Sequence, residues 1–296
     1  MNDLGLRAHA GEQAVQRRVG EGGPGHGSPM FGPVIPAGHA EFIADRRMVV
    51  LGAADEDDTV WATMLSGHAG FAKAMGERAI RFSGGPAEGD PLRAAFENRR
   101  PAGILAVDQA RGRRIRANGW VRRDGDGLRM ETAQVLRNCP KYIQKRELVA
   151  DAEPLRARET SGTELTARQR EWIAGADTFF IASYSPDHGA DVSHRGGPAG
   201  FVTVGGSKWL SWPDYTGNSF YMTLGNLELN PACGLLFVDW RRGHTLHLTG
   251  ESHVDWQDRS KPGAKRTVHF SVRRVVQVDN ATVLRWRFVE KSPFNP

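Results

Sequence analysis

The chain repeats itself over a length that only a duplicated domain explains. Residues 42–71 align with residues 172–201 without a gap, at a constant spacing of 130 that carries Phe42 onto Trp172. Ile43-Ala44 matches Ile173-Ala174, Asp57 matches Asp187, and Gly67, Ala69, Gly70 and Phe71 match Gly197, Ala199, Gly200 and Phe201. At a spacing of 131, Gly103-Ile-Leu-Ala-Val-Asp108 then mirrors Gly234-Leu-Leu-Phe-Val-Asp239. Each is followed by a turn glycine (Gly112, Gly243) and a closing glycine (Gly119, Gly250). Solenoid modules repeat every 20 to 50 residues or so, so this period marks a doubled domain. A doubled chain can keep a site in one copy and lose it in the other, so positions where the copies differ point to the chemistry.

At 296 residues the chain has room for two domains, each with its own core. Residues 1–35 are rich in Gly and Pro and read as an extended N-terminal arm. The first copy then spans 36–150, a charged linker 151–165, and the second copy 166–296. In the first copy a short helix near Pro36 to Arg47 precedes strand-like runs at 48–54, 60–65, 104–108, 113–121 and 128–135. A helix is expected over 138–149, with Asn138 as cap and Pro140 in the first turn. The second copy restarts with Thr166-Ala-Arg-Gln169, a capping box. Its strands are expected near 178–184, 190–194, 200–204, 208–212, 234–240, 245–254, 267–278 and 282–288. Short strands, glycine turns and few helices argue for a mainly β fold with a barrel in each copy.

Hydrophobic residues at 40% and charged residues at 25% are ordinary for a globular protein. No apolar run reaches the length of a membrane span, and the N-terminus lacks the apolar core of a secretory signal. Two cysteines are too few for a disulfide framework, which fits a reducing cytoplasm. A net charge of +5 favours small anions, while the scattered basic residues form no nucleic-acid motif. Gly200-Phe-Val-Thr-Val-Gly-Gly206 has P-loop spacing but lacks its lysine. His244 and His247 fall on opposite faces of a strand and cannot share a metal.

Three contrasts separate the copies. Asp191, Ser193 and Arg195 alternate onto one strand face where the first copy has Trp61, Thr63 and Leu65. Gly196-Gly197 follows directly, so a ligand can approach the backbone. Second, a helix is expected over Asn218 to Leu229, with Ser219, Thr223 and Asn226 on a polar face and no acid at its start. The equivalent helix of the first copy would begin at Asp90-Pro91, where a carboxylate repels a phosphate. Third, the cationic segment Arg137 to Arg146 closes the first copy and has no counterpart in the second.

The segments Asp191-Val-Ser-His-Arg-Gly-Gly197, Pro213-Asp-Tyr-Thr-Gly-Asn218, Thr223-Leu-Gly-Asn226 and Asn230-Pro-Ala-Cys-Gly-Leu-Leu-Phe237 resemble the pyridoxamine 5′-phosphate oxidase-like, FMN-binding split-barrel family. His9 to Arg17 and Asn138 to Ile143 resemble its two-barrel branch. The resemblance implies tandem six-stranded antiparallel split barrels with FMN in the groove between them. It implies a cofactor site of Ser193, His194, Arg195, Gly196, Trp212, Asp214, Asn218, Ser219, Asn226, Thr245 and His247, with Lys141 brought from the other barrel. No catalytic acid or base is assigned; His194 and His247 are the candidates. Asn218-Ser219 replaces the Arg-Lys pair of the vitamin-forming oxidases, and their C-terminal Arg-x-His is missing, so pyridoxine-phosphate oxidation is not implied. The expectation is an FMN-dependent oxidoreductase acting on a small molecule, reduced by NAD(P)H or a reductase partner, cytoplasmic and homodimeric. The alternatives are a non-catalytic flavin or haem sensor and a deazaflavin-dependent reductase.

Overall fold

A computed structural model describes residues 9–296; the first eight residues of the expected arm lie outside it. Two helices, α1 (Ala10–Val19) and α2 (Ala37–Ala44), precede the first set of strands. These are β1 (Met48–Ala54), β2 (Val60–Ser66), β3 (Ala72–Ala74), β4 (Ala79–Phe82), β5 (Arg100–Asp108), β6 (Arg113–Asp124) and β7 (Gly127–Arg137). Two connecting strands follow, β8 (Lys145–Leu148) and β9 (Arg158–Gly162), then α3 (Ala167–Ala174). The second copy supplies β10 (Thr178–Ser185), β11 (Gly189–Gly196), β12 (Thr203–Val204) and β13 (Trp209–Asp214). It continues with α4 (Met222–Leu229), β14 (Ala232–Asp239), β15 (His244–Asp255), β16 (Arg266–Asp279) and β17 (Trp286–Glu290).

The fold is mainly β, and every pairing is antiparallel. The first copy orders its sheet β2-β1-β5-β6-β7-β4-β3, and the second β11-β10-β14-β15-β16-β13-β12. The two orders match position by position. Each runs through six main strands and finishes on a very short one, β3 or β12. Inward residues from all seven strands of the first copy, Leu51, Leu65, Ala72, Ile80, Ile104, Ala117 and Met130 among them, meet in one apolar cluster. A sheet whose strands all share one cluster is rolled around it, as a barrel is. The second copy closes around Phe179, Leu210, Trp212, Leu235, Leu248 and Phe270 in the same way.

A third cluster lies between the barrels and joins Val50, Ala62 and Leu105 to Phe180, Val192 and Leu236. Strand β1 therefore has no wet face: Val49, Leu51 and Ala53 point into the first barrel, and Val50 and Ala54 into the interface. This is why Met48–Ala54 reads as a continuous apolar run without alternation. Glycines let the strands approach. A Cβ on Gly103 would stand 2.7 Å from Cα of Asp191, and one on Gly234 would stand 2.5 Å from Cα of Trp61. Asp191 and Trp61 are themselves equivalent in the repeat, so exchanging the copies maps one contact onto the other.

Thr166 and Gln169 form the expected capping box at α3. Other expectations are corrected. The arm is not wholly extended, because residues 10–19 are helical; His9 caps this helix through its Nδ1, and Gly20 ends it at φ 70°. The helix expected over 138–149 does not form. Tyr142 lies at φ 67°, outside helical space, and residues 145–148 pair with β17 at the far end of the chain. A partner some 140 residues away decides this segment, and local propensity cannot foresee it. Part of the expected linker is strand β9, which pairs with β16. No helix among the described residues is long and apolar enough to cross a membrane.

Candidate functional site

A cleft opens between the barrels, with about 900 Å³ of empty space counting its open side. Strand β11 forms one wall, with Ser193, Arg195 and Gly196. Strand β6 of the first barrel forms another, with Arg114 and Arg116. Lys141 and Tyr142 close it from the segment after β7, and residues 217–224 floor it.

Strand β6 is the part that residue reading missed, and the repeat held the signal. At the spacing of 131, Thr245 and His247 correspond to Arg114 and Arg116. Thr245 and His247, to which the resemblance gives a ligand-facing role, lie on the equivalent strand of the other barrel, outside this cleft. The cleft pairs β11 of one copy with β6 of the other, so the first copy supplies two of its three arginines.

Arg116 is the buried anchor. Its guanidinium donates to Asp191 Oδ2 at 2.8 Å and to the Ser193 hydroxyl. Behind it, Ser183 donates to Asp191 at 2.5 Å, Asn226 donates to Ser183 at 3.1 Å, and His9 meets Asn226 at 2.7 Å. Thr223 and Ser193 hydroxyls lie 2.8 Å apart. This chain satisfies most of the polar groups under α4 and ties α1, α4 and β11 together. Asp191 therefore holds Arg116 in place.

Arg114 and Arg195 are different. Both are half-buried in the cleft, and among the described residues neither has a carboxylate within ion-pair distance; the same is true of Lys141. The Nε of Arg114 has no hydrogen-bond partner. Burial, with Arg116 and Arg195 alongside, lowers the Arg114 guanidinium to about 9. Burial and the neighbouring Arg114, Arg195 and Arg146 hold His194 well below the usual imidazole range, so its ring is neutral at pH 7, and its Nδ1 is also unpartnered. Among the residues lining the cleft these cations outnumber the one carboxylate, Asp214, and the excess positive charge favours an anion within it.

Of the residues named from sequence, Ser193, His194, Arg195, Gly196, Asp214, Asn218, Ser219 and Lys141 line this cleft. Four do not. Trp212 is 1% exposed in the second barrel's core, edge-on to Phe179. Asn226 is buried on the inner side of α4, bonded to Ser183 and His9. Thr245 and His247 belong to the second groove described below. Asp214 stands beside Arg266 at 3.2 Å, and burial raises its carboxyl despite Arg195 and Arg266 nearby. The helix expected from Asn218 begins only at Met222, because Ser219 (φ 61°) and Tyr221 (φ 56°) are left-handed and break it. Asn218 and Ser219 thus sit in the approach loop, where Ser219 and Tyr221 each donate to Glu21 at 2.6 Å. Residue Glu21 comes from the N-terminal arm.

The equivalent groove on the other side, between β2 and β15, is closed. There Thr63, His247, Thr245 and Leu65 stand where Ser193, Arg116, Arg114 and Arg195 stand in the open cleft. Three arginines have become histidine, threonine and leucine. His247 is wholly buried and bonded to the Ala62 carbonyl at 2.9 Å and to Thr245 at 2.8 Å. Asp90 lies buried in this groove: it accepts from Thr63 and from the Leu92 N–H at 2.9 Å, with His247 3.7 Å away. No helix follows Asp90; the chain from Asp90 to Arg99 is a run of turns.

No family model and no curated protein matches the chain. Among solved structures it is similar to HupZ of Group A Streptococcus, at 14% identity over 38% of this chain and 91% of that one, TM-score 0.32. It is similar to a Clostridium acetobutylicum protein of the pyridoxinephosphate oxidase family, related to general stress protein 26, at 13% identity over 41% and 92%, TM-score 0.27. It is also similar to the motility inhibitor MotI of Bacillus subtilis, at 10% identity over 76% and 87%, TM-score 0.23. At such scores these likenesses carry no weight; the fold rests on the two matched sheet orders.

Proposed function

We propose that the protein is an FMN-binding oxidoreductase with one flavin site per chain, in the cleft between β11 and β6. The observation that carries this reading is the pair Arg114 and Arg195, two half-buried guanidinium groups facing one cleft and lacking the countercharge of an ion-paired carboxylate. A phosphate monoester supplies that charge, and Arg114, Arg195 and Lys141 would hold it. No acidic residue lies in the first turn of α4, which adds its dipole in the same sense. The tilted Tyr142 and Tyr215 rings, 5.1 Å apart, give the cleft an aromatic wall suited to a planar ring system. When bound, FMN would supply the redox chemistry. The chain's own part is to bind and orient it, to exclude water with the barrel walls, and to offer the neutral His194 ring as a hydrogen-bond partner. Electrons would come from NAD(P)H or a reductase partner.

A non-catalytic flavin or haem sensor is the second reading, favoured by the state of His194: the cleft's histidine is neutral at pH 7 and cannot serve there as a general acid. The test is the absorbance spectrum and mass of the small molecule retained by the full chain after incubation with FMN and gel filtration. Protein that stays colourless sinks the flavin reading. Reduction by NADPH or NADH followed by turnover of an acceptor separates the oxidoreductase from the sensor.

A further inference from the structure

The repeat marks a second site, far from α4. In the first barrel, Arg46 lies over the Phe42 ring at 4.7 Å and pairs with Asp108 at 2.8 Å. Asp108 also accepts from the backbone and side chain of Arg111, in the turn after β5. The second barrel keeps this arrangement almost whole. Trp172 stands for Phe42 and Asp239 for Asp108, and Asp239 accepts from the Arg241 and Arg242 backbone with the Arg242 side chain 3.6 Å away. The Arg46 cation is missing, because Ala176 stands for Arg46, and His244 stands for Arg113, which also lies over the Phe42 ring at 5.3 Å. Where Arg46 packs in the first barrel, the second has a cleft of about 1850 Å³ of empty space counting its open side, lined by Trp172, Ala176, Thr178 and Asp239. The acceptor is correspondingly less covered: Asp108 is 5% exposed and Asp239 20%.

A second observation points to a ligand. Thr178, which stands for Met48, is 2% exposed, lines this cleft, and its hydroxyl has no hydrogen-bond partner. A buried hydroxyl left unpaired is costly, and a ligand donor or acceptor would satisfy it. The rim is cationic. Arg168 and Arg241 line it, with no carboxylate within ion-pair distance among the described residues. A bare cation is opposed there, whereas a cation that also carries a carboxylate is matched at both ends.

We propose that this cleft binds a small zwitterion bearing a guanidinium group, of the arginine class, with the guanidinium over Trp172 against Asp239 and the carboxylate toward Arg168 and Arg241. The ligand then restores the contact that Arg46 makes within the first barrel. This inference is independent of the flavin reading, since the two clefts share no lining residue.

The test is calorimetric titration of free arginine into the full chain, beside citrulline, which has the same shape without the charge. Saturable arginine binding is expected, at least tenfold weaker for citrulline and weaker for agmatine, which lacks the carboxylate. Ala176→Arg, which rebuilds the first barrel's contact, is expected to weaken arginine binding at least tenfold. Asp239→Asn, which keeps the turn's acceptor, is expected to do the same and decides the matter should Ala176→Arg fail to fold. No arginine binding at millimolar concentration, citrulline binding as tightly as arginine, or Asp239→Asn binding unchanged would each overturn the proposal.

Discussion

Arg195 and Leu65 occupy equivalent positions in the repeat, yet they differ in what each contributes. Leu65 is 1% exposed inside the first barrel's core, while Arg195 lies half-buried in a cleft with no ion-pair partner. Leu65→Ala is expected to cost about 2–5 kcal/mol of unfolding free energy, read from urea melts, and to leave flavin affinity unchanged. Arg195→Ala is expected to do the reverse. Losing one charge-assisted contact to phosphate weakens FMN about 10- to 100-fold, measured by flavin fluorescence quenching, with little loss of stability. Equal flavin retention by the two variants would show that the asymmetry between copies has no bearing on the cofactor. Glu12 yields a prediction of another kind. It is fully buried, accepts from the Ser28 N–H at 2.9 Å and from its hydroxyl at 2.7 Å, and burial raises its carboxyl from 4.5 to about 7. Between those values the native state keeps a proton that the unfolded chain has released. The contribution is therefore fully present below pH 4.5 and is lost as pH rises through 7, an effect on the order of 3 kcal/mol. Glu12→Gln should flatten this fall, and unfolding curves at about pH 5 and about pH 8 measure it. A slope unchanged by the substitution would show that Glu12 is not its source.

Among the elements, the crossing of α1 over α4 is the tightest contact near the site. A Cβ on Gly11 would run into the Gly225 carbonyl, and one on Gly225 would stand 2.5 Å from the Glu12 nitrogen. Helix α4 in turn holds Thr223 against Ser193. Gly11→Ala is thus expected to push the helices apart, costing about 1–3 kcal/mol and lowering flavin affinity, although residue 11 is outside the cleft. Normal affinity in a destabilised Gly11→Ala would mean that α1 braces the fold without shaping the site. Neither this crossing nor α1 was legible in the chain, because a helix framed by glycines and prolines reads as a loop until its partner is known. The strands from Met48 to Ala54 and from Thr178 to Ser185 were legible, since apolar runs bounded by turn residues can do little else. At the cleft, alternation along β11 placed Ser193 and Arg195 together, and both line it. The β6 face was not legible, for a role assigned to Thr245 and His247 says nothing about which barrel's copy of that strand meets β11. The start of α4 was hidden by the left-handed Ser219 and Tyr221, a conformation that neither residue type favours.

For the whole molecule, two equivalent close contacts hold the barrels together, and only one borders an open groove. Gly103 faces Asp191, whose carboxylate anchors Arg116 in the cleft, while Gly234 faces Trp61 beside the groove that Asp90 closes. Adding a methyl group at either glycine must spread the interface, because the opposing atoms are backbone and cannot swing aside. Both Gly103→Ala and Gly234→Ala are expected to lose about 1–3 kcal/mol of stability in a single unfolding transition, since the cluster between the barrels couples them. Their effects on the cofactor should part company. Spreading β5 from β11 moves Arg114 and Arg116 away from Arg195, so Gly103→Ala is expected to weaken FMN about tenfold or more, whereas Gly234→Ala leaves it nearly unchanged. Paired urea melts and FMN titrations on the two variants measure this. Equal losses of affinity would mean that the barrels move as one rigid pair and that both contacts set the cleft together; an effect confined to Gly234→Ala would place the working groove on the side that Asp90 appears in and contradict the assignment made from Arg114 and Arg195.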